Sequence, residues 1–549
     1  MRRSAPSGVA NRARSVWPTA GLLLLVCLAH SSALTGGFVW DDDDYILNNP
    51  VLREPGGLAR IWFDLGATPQ YYPLVFTTFW LETRLWGFAP FGFHLVNVAL
   101  HAATTVLLWR LLRALHAPGA WLGAALFGVH PVTVESVAWI TERKNTLSGL
   151  FLVGAVLAYL RAANLGSARR APAFDGKMYA LAALLFVCAL CSKTVTAVFP
   201  GLLALLLWWK RDRLSACDLW PLAPFVALGA GAGALTLWIE RNHVGARGAD
   251  WALSFLDRVG LAGSIFWFYV GKLAAPIDLS FVYPRWTIDP SSPRHWLGPL
   301  AFVVLVVALV AMRRRHPERL GRGVLVAVLA FAGCLFPALG FFDVYPMRYS
   351  WVADHFQYHA SACLLALAGA GFACWGNRVQ GMRLGAVLLV VLAGLTLQRG
   401  RVYSDIETLW RDTLARNPGA WMAQHNLGLL YAREGRLGDA LASYEAALAI
   451  RPDLGQTHYN LGSVHASQGR FDQALVHLEQ AARLEPTLLE ARNNLGNVLV
   501  RLGRYDEAIV SYREALRLEP GYLSAQRNLA HALALRAKTA AWSSGTERP

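Results

Sequence analysis

The chain has 549 residues, of which 55% are hydrophobic and 16% are charged, and its formal net charge is +15. Soluble domains carry about a quarter charged residues, so this composition excludes an ordinary soluble protein and predicts a chain that lies mostly in lipid. The basic residues gather in short clusters between apolar segments, which indicates cytoplasmic loops of a membrane protein and not a nucleic-acid partner.

Residues 1–400 are predicted to form an all-α, polytopic bundle with about 11 membrane spans. The first apolar segment follows a basic N-terminus and is interpreted as an uncleaved span, not a signal peptide. Segment 259–275 is predicted to be interfacial or re-entrant, because a crossing there would place Arg313–Arg315 on the external side. The predicted spans are Val16–Leu34, Gly92–Leu112, Trp121–Ile140, Leu147–Leu160, Tyr179–Cys191, Val195–Trp209, Leu219–Ile239, Trp296–Met312, Gly323–Phe341, His359–Trp375 and Leu384–Leu397.

Four consecutive carboxylates, Asp41 to Asp44, follow the first apolar segment and fall in the first external loop. One interpretation is a solvated acidic turn that marks the end of a membrane helix, since charges near a helix end reach water cheaply. The other is a functional site. The same loop holds two aromatic-rich amphipathic segments, Leu58–Phe63 and Tyr72–Trp86, which are predicted to lie along the membrane interface.

Polar and ionisable side chains also interrupt the later apolar segments. Such groups are rare inside membranes and are functional candidates. The alternative is mutual pairing that holds the bundle together, such as Glu135 with Lys193 or Arg143. Both interpretations stay open from the residues alone, although the predicted topology brings these groups to the external face that holds the acidic run. The positions are His94, Asn97, His101, His130, Glu135, Arg143, Lys193, Arg348, Asp354 and His355.

The chain lacks a convincing phosphate-binding loop, dinucleotide fingerprint, zinc-ligand spacing or serine-nucleophile elbow. A carboxylate at the boundary of water and lipid, with cationic side chains beside it, suits attack by a hydroxyl on a membrane-anchored phosphate ester. The carboxylate takes the proton of the hydroxyl or holds a divalent cation, and Lys or Arg neutralises the departing phosphate.

From about residue 401 the composition changes to Ala, Arg, Glu and Leu with helical periodicity, and two markers recur every 34 residues. This is the tetratricopeptide pattern, in which small residues lie where paired helices touch. The predicted units are 419–452, 453–486, 487–520 and a partial 521–540. The concave face of such a superhelix typically binds an extended peptide or a partner protein. The markers are Asn426, Asn460, Asn494 and Asn528, and Pro418, Pro452, Pro486 and Pro520.

The residues Trp40-Asp41-Asp42, followed by Tyr45-Ile46-Leu47-Asn48-Asn49, resemble the first-loop motif of a known family. The family is that of the multi-pass GT-C glycosyltransferases with C-terminal tetratricopeptide repeats, which includes protein O-mannosyltransferases and bacterial relatives. The resemblance covers nearly the whole chain. Further similar segments are residues 90–97 with His101, residues 129–139, residues 143–145, Ser192-Lys193, Arg348-Tyr349 and residues 353–355.

The resemblance implies a GT-C fold and an inverting transfer of a sugar from a polyprenyl- or dolichyl-phosphate donor. In the animal-type relatives with repeats the sugar is mannose and the acceptor is Ser or Thr of a protein. Asp41 and Asp42 become the catalytic candidates, and the ligands of a divalent cation, Mg²⁺ or Mn²⁺, if the reaction uses one. The residues implied to bind the lipid phosphate or the donor are Lys193, Arg143, Arg348, His94, His130, Glu135, Asp354 and His355.

The function expected from the sequence is therefore a membrane glycosyltransferase whose repeats recruit a protein acceptor. The composition favours a bacterial inner-membrane protein, with the first loop and the repeats periplasmic, or lumenal in a eukaryote. Two alternatives stay open: a non-catalytic scaffold whose repeats assemble envelope complexes, and the same transferase acting on a lipid or polysaccharide. Asp250 and Asp257 are the candidates for a second catalytic acid in a later loop.

Overall fold

A computed structural model describes residues 8–165, 174–211, 213–246, 248–315 and 322–543, with the side chains of residues 8–15, 249 and 541–543 left out. The described residues form helices and loops without a β-strand, so the prediction of an all-α chain is confirmed. The chain divides into two compact units, Met1–Leu409 and Trp410–Pro549, whereas the sequence places the change at about residue 401.

The first unit is built from helices α1 to α16. Short helical turns connect many of them, and the longest helices are strongly apolar because they present lipid-facing or core-facing side chains all round. The helices are α1 Gly8–Ala29, α2 Gly57–Phe63, α3 Pro73–Trp86, α4 Pro90–Ala114, α5 Ala120–Gly128, α6 Val134–Ala138, α7 Arg143–Ala162, α8 Gly176–Leu190, α9 Phe199–Lys210, α10 Ala216–Leu219, α11 Ala223–Ile239, α12 Phe255–Ala274, α13 Pro293–Arg315, α14 Arg322–Leu335, α15 Tyr358–Ala373 and α16 Arg378–Gly400.

Among the described residues, five helical stretches are long and apolar enough to cross a membrane. Four shorter apolar helices accompany them, Val16–Ala29, Gly176–Leu190, Thr194–Lys210 and Arg322–Ala338. The predicted number of crossings therefore stays a prediction. The five stretches are Pro90–Ala114, Ile140–Ala162, Ala216–Val244, Pro293–Arg315 and Arg378–Tyr403.

The third predicted span, Trp121–Ile140, is not one continuous helix. Helix α5 ends at Gly128, and the chain then runs through short turns until α7 begins at Arg143. Pro131 causes the break, because proline lacks a backbone N–H and forces the residue before it into an extended conformation. Every residue from 122 to 149 is buried, so this irregular segment forms the inner wall of the unit.

Helix α12 covers most of the segment for which the sequence predicts an interfacial or re-entrant helix. A capping box begins it: Asp257 N donates to Ser254 Oγ at 3.2 Å, and Ser254 N donates to Asp257 Oδ2 at 2.8 Å. The helix packs closely on α13, since a Cβ atom on Gly263 would lie 2.3 Å from Pro299. Whether α12 crosses the membrane stays a prediction.

The second unit consists of paired helices that follow the 34-residue period. A Cβ atom added to Gly428 would lie 2.5 Å from Tyr444, and the equivalent Gly496 meets Tyr512 at the same distance. The small residues therefore lie where paired helices touch, as the repeat pattern predicts. Helix α17 begins in the first unit and ends in the second. The helices from there to the end of the described chain are α17 Ile406–Arg416, α18 Trp421–Arg433, α19 Leu437–Ile450, α20 Gly455–Ser467, α21 Phe471–Leu484, α22 Leu489–Arg501, α23 Tyr505–Leu518 and α24 Leu523–Ser543.

Candidate active site

Asp42 anchors the first loop to the inner wall. Its Oδ1 accepts from the backbone N and the Oγ1 of Thr141, at 2.8 and 2.5 Å, and its Oδ2 accepts from Val39 N at 2.9 Å. Burial raises the pKa of Asp42 to about 7, although these three hydrogen bonds lower it. Both oxygens are thus occupied by the protein, which makes Asp42 a group that positions the loop.

Asp41 differs from Asp42 in having an open carboxylate oxygen. The side chain is half-buried, and its Oδ1 has no hydrogen-bond partner within the described part of the chain. Burial raises the pKa of Asp41 to about 8, while the charge of Lys144 lowers it. Of the other two carboxylates in the run, Asp43 is half-buried and Asp44 is exposed. Asp41 is therefore the member of the run best placed to accept a proton.

A buried carboxylate holds two lysines beside this loop. Glu142 Oε1 lies 3.0 Å from Lys144 Nζ, and Glu142 Oε2 lies 3.0 Å from Lys193 Nζ. Asn145 Nδ2 donates to Glu142 Oε2 at 2.7 Å. Burial lowers the pKa of Lys193, while the charge of Glu142 raises it. Two ammonium groups against one carboxylate leave an excess of positive charge, which a bound phosphate would neutralise.

A second buried pair lies behind the lysines. His355 Nδ1 is 2.8 Å from Glu135 Oε1, and His355 Nε2 is 3.9 Å from Glu142 Oε1. The neighbouring Asp354 accepts from Tyr283 OH at 2.9 Å, and burial raises the pKa of Asp354. The structure thus brings Glu135 and His355 to Glu142, the ion-pair partner of Lys193, and Asp354 is the neighbour of His355 in the chain.

Arg143 points away from the lysines and acts as a clamp between helices. Its guanidinium forms a buried ion pair with Glu82 of α3, donates to Asn97 Oδ1 of α4 and donates to Phe93 O at 2.8 Å. It also donates to Thr78 Oγ1 at 3.0 Å. The group is fully buried and engaged on all sides, so it supports the wall and does not reach a lipid phosphate.

Two of the three histidines predicted for the donor site, His94 and His130, lie in the packed interior of the unit, as does the further polar candidate His101. His94 Nε2 is 3.3 Å from Gly37 O, and His130 Nε2 is 3.1 Å from Leu273 O. His101 Nδ1 lies 2.9 Å from Tyr358 OH. Each ring therefore connects elements of the fold through ordinary hydrogen bonds.

The pairings suggested by the sequence, Glu135 with Lys193 or Arg143, do not occur. Glu135 pairs with His355, Lys193 with Glu142, and Arg143 with Glu82. The physical reason is the break after α5. It places Glu135 in the short helix α6, separate from α7, so the two helices present their charges to different neighbours.

Arg348 lies at the rim of the site and is partly exposed. Its Nε is 3.5 Å from Asp250 Oδ2, and Asp250 Oδ1 also accepts from Arg285 at 3.0 Å. The adjacent Tyr349 contacts the ring of Trp40, 6.2 Å between centroids. Asp250 is thus an ion-pair partner and Asp257 a helix cap, so neither supplies an open second acid.

The sequence analysis does not predict two central groups, Glu142 and Lys144, although residues 143–145 are among the segments that resemble the family. Successive side chains on a helix point about 100° apart, so neighbours at the start of α7 meet different parts of the surroundings. Arg143 faces the wall, and Lys144 faces the loop that carries Asp41 and Tyr45, with its Nζ 5.2 Å from the Tyr45 ring. Predicting that α7 begins at residue 143 would have indicated that Lys144 faces the first loop.

The donor set does not form a metal centre held by the protein. No group of three or more His, Cys, Asp or Glu side chains with metal-binding geometry occurs among the described residues. Both oxygens of Asp42 already accept protein donors, which leaves Asp41 as a single carboxylate ligand. The use of a divalent cation, which the sequence leaves open, is therefore untested, and these residues alone do not provide its coordination shell.

Comparison with known proteins gives relatives across both parts of the chain. The protein O-mannosyl-transferase TMTC1 of Homo sapiens is 28% identical over 489 residues, which cover 77% of this chain and 54% of that protein. TMTC4 of Homo sapiens is 36% identical over 167 residues, 26% of this chain and 22% of that protein. F38B6.6 of Caenorhabditis elegans, also a protein O-mannosyl-transferase, is 31% identical over 157 residues, 26% of this chain and 23% of that protein. The chain thus spans about half the length of TMTC1 and less of the others.

The repeats match a family model and solved structures. Residues 420–486 and 453–519 each match the tetratricopeptide repeat model. YrrB, described as a TPR protein with an unusual peptide-binding site, is 24% identical and covers 29% of this chain and 77% of its own, with a TM-score of 0.23. MamA is 23% identical and covers 24% of this chain and 72% of its own, also with a TM-score of 0.23. The chain is a tetratricopeptide-repeat membrane protein related in sequence to the protein O-mannosyl-transferases TMTC1 to TMTC4.

Proposed function

We propose that the chain transfers a sugar, with mannose the first candidate, from a polyprenyl- or dolichyl-phosphate donor to a Ser or Thr hydroxyl of a protein. One observation carries the proposal. The carboxylate of Asp41, with one unpartnered oxygen, lies near buried Lys144, which shares the carboxylate of Glu142 with the half-buried Lys193. A base next to an anion-binding pair is the arrangement that displacement of a phosphate by a hydroxyl requires. The names of the relatives agree with this reaction.

The proposed step is a single displacement with inversion. The acceptor oxygen attacks the anomeric carbon and forms the new C–O bond, while the bond from that carbon to the phosphate oxygen breaks. The bonding pair leaves with the phosphate, whose charge Lys144 and Lys193 balance. The hydroxyl proton passes to Asp41. Asp42 holds the loop so that Asp41 keeps its place, and Glu142 holds the two ammonium groups together.

An apolar groove of about 550 Å³ supports a lipid-linked donor. It runs between α9 and α14, with Gly201, Leu205, Leu329 and Phe336 among its lining residues. Ala197 and Val198, at one part of the groove, belong to the turn that directly follows Lys193. A polyprenyl chain in the groove would keep its phosphate near that lysine, because the apolar tail gains from burial along the whole groove.

The repeats are proposed to recruit the protein acceptor. Tetratricopeptide superhelices bind extended peptides on their concave face, and this unit is compact in its own right. The predicted topology places the first loop and the repeats on the same, external side of the membrane, periplasmic in a bacterium. Recruitment there raises the local concentration of the acceptor near Asp41.

Comparative glycoproteomics of a deletion strain tests the proposal. Complementation with the wild-type chain is expected to restore hexose on Ser or Thr of envelope proteins, and the Asp41→Asn chain at equal abundance is expected not to. An unchanged glycoprotein profile in the deletion strain would refute the proposal. Loss of an envelope glycolipid with intact glycoproteins would indicate that the acceptor is a lipid or polysaccharide. A defect restored equally by both chains would indicate a scaffold.

A further inference from the structure

Several buried polar atoms around the candidate active site have no hydrogen-bond partner within the described part of the chain. They are the indole N–H of Trp139, Oε2 of Glu135, Oδ1 of Asn145 and both polar atoms of the Gln357 amide. All four side chains are at least nine-tenths buried. Buried polar groups are almost always hydrogen-bonded, so a cluster of such atoms in one place needs an explanation.

Three of the four side chains contact His355, and Gln357 lies two residues along the chain from it. His355 Nδ1 contacts Glu135 Oε1 at 2.8 Å, and His355 O accepts from Asn145 Nδ2 at 2.8 Å. The His355 and Trp139 rings lie 5.6 Å apart, and Gln357 belongs to the same helical turn as His355. Glu135 and Asn145 each use one polar atom to hold the cluster, and the other polar atom of each is buried without a hydrogen-bond partner.

The buried atoms without a partner are a mixture of hydrogen-bond donors and acceptors. Trp139 and the amide nitrogen of Gln357 donate, whereas Glu135, Asn145 and the amide oxygen of Gln357 accept. A phosphate offers acceptors, so it does not match this set. A sugar hydroxyl donates and accepts at once, and several adjacent hydroxyls satisfy several such atoms together. The Trp40 ring stacks on Trp139, with 5.3 Å between the ring centroids, and so holds the indole of Trp139 in place.

The position of the cluster fits a sugar attached to the phosphate. Lys144 Nζ lies 5.8 Å from the Trp139 ring, and Glu142, which holds both lysines, lies 3.9 Å from His355. A phosphate at the lysines therefore places its sugar beside Trp139. We propose that Trp139, Glu135, Asn145 and Gln357 form a subsite that reads the hydroxyls of the transferred hexose and so determines which sugar is accepted. This inference rests on the proposed function.

Binding measurements with two lipids test the subsite. The full-length chain in nanodiscs is titrated with polyprenyl-phosphate mannose and with polyprenyl phosphate, which lacks the sugar. Trp139→Phe is expected to weaken binding of the mannose lipid about tenfold, the effect of one lost buried hydrogen bond, and to leave binding of the bare phosphate lipid unchanged. Trp86→Phe is the matched control, because its indole N–H is also buried without a partner, but in α3.

Gln357→Met separates recognition from a structural role. Methionine keeps the volume and removes both unpartnered polar atoms, so thermal stability is expected to stay or rise while the mannose lipid binds more weakly. Equal losses for both lipids, or no loss for either in Trp139→Phe and Gln357→Met, would overturn the subsite and leave buried water as the partner of these atoms. The proposed function fails separately, if the wild-type chain transfers no sugar.

Discussion

Asp41 and Asp42 are adjacent and chemically identical, yet the structure gives them different tasks. Both oxygens of the Asp42 carboxylate accept hydrogen bonds, from Val39 and Thr141, whereas Oδ1 of Asp41 has no hydrogen-bond partner among the described residues. The difference arises because successive side chains in the turn point in different directions: Asp42 accepts from the backbone N–H and the hydroxyl of Thr141, and Asp41 faces Lys144. A role for an acidic residue therefore follows from its partners and not from its place in the run.

Substituting the two residues is expected to separate catalysis from stability. Asp41→Asn should lower transfer at least about a hundredfold with little change in Tm, because it removes a base while the remaining amide oxygen can still accept the hydrogen bond from Thr141. Asp42→Asn should destabilise the fold by about 1–3 kcal/mol, because its amide presents an N–H to another donor. Transfer rates and thermal unfolding of both variants check this. Full activity in Asp41→Asn would contradict the assignment of the base.

The pH dependence of transfer follows from the environment of Asp41. Burial holds the carboxyl protonated up to a pKa of about 8, and a base acts only in its deprotonated form. The value of kcat/KM for the donor is therefore expected to rise with pH and to level off above about 8. A pH–rate profile at saturating acceptor checks this, and the rise should be absent from the residual rate of Asp41→Asn. A rate that falls between pH 6 and 8 would contradict it.

The two lysines are expected to act on the donor phosphate. Lys144→Met or Lys193→Met should raise KM for the donor and lower kcat/KM by about ten- to a hundredfold, the effect of one lost contact to a developing charge. Lys177→Met, at an exposed position near the start of α8, is the control. Steady-state kinetics with varied donor measure the effect. If all three variants behaved alike, the phosphate would bind elsewhere.

At the scale of the elements, the segment between α5 and α7 organises the site. Apolar runs and the positions of polar residues predict where helices lie, and α2 and α3 match the predicted amphipathic segments closely. The direction in which a polar residue faces could not be predicted, since it depends on where α7 begins. Pro131 is the sequence signal for the break after α5. In the charged turn at the start of α7, Glu142, Arg143 and Lys144 contact different neighbours.

The ion pair of Glu82 and Arg143 is expected to stabilise this segment. Glu82→Leu alone should cost about 3–5 kcal/mol, because it leaves Arg143 buried without its charge partner. The double variant Glu82→Leu with Arg143→Met should recover most of that loss. Thermal unfolding of the three chains in the same detergent measures it. A single variant as stable as the wild type would show that the pair does not support the wall.

At the scale of the whole molecule, the sequence predicts the repeat unit better than the membrane unit. The repeat signal is local, because each unit of 34 residues packs on its neighbour, and Gly428 meets Tyr444 as the pattern requires. The membrane unit depends on contacts between distant segments, such as His355 with Glu135, which no local pattern reports. The composition of the site was therefore predictable in outline, and its pairings were not.

We propose that this chain moves a sugar from a lipid phosphate to a protein hydroxyl with Asp41 as the base. The most direct test reconstitutes the full chain in liposomes with radiolabelled polyprenyl-phosphate mannose and a Ser/Thr-rich acceptor protein. We expect label on the acceptor with the wild-type chain and at most about a hundredth of that label with Asp41→Asn. Equal label from both chains would contradict it.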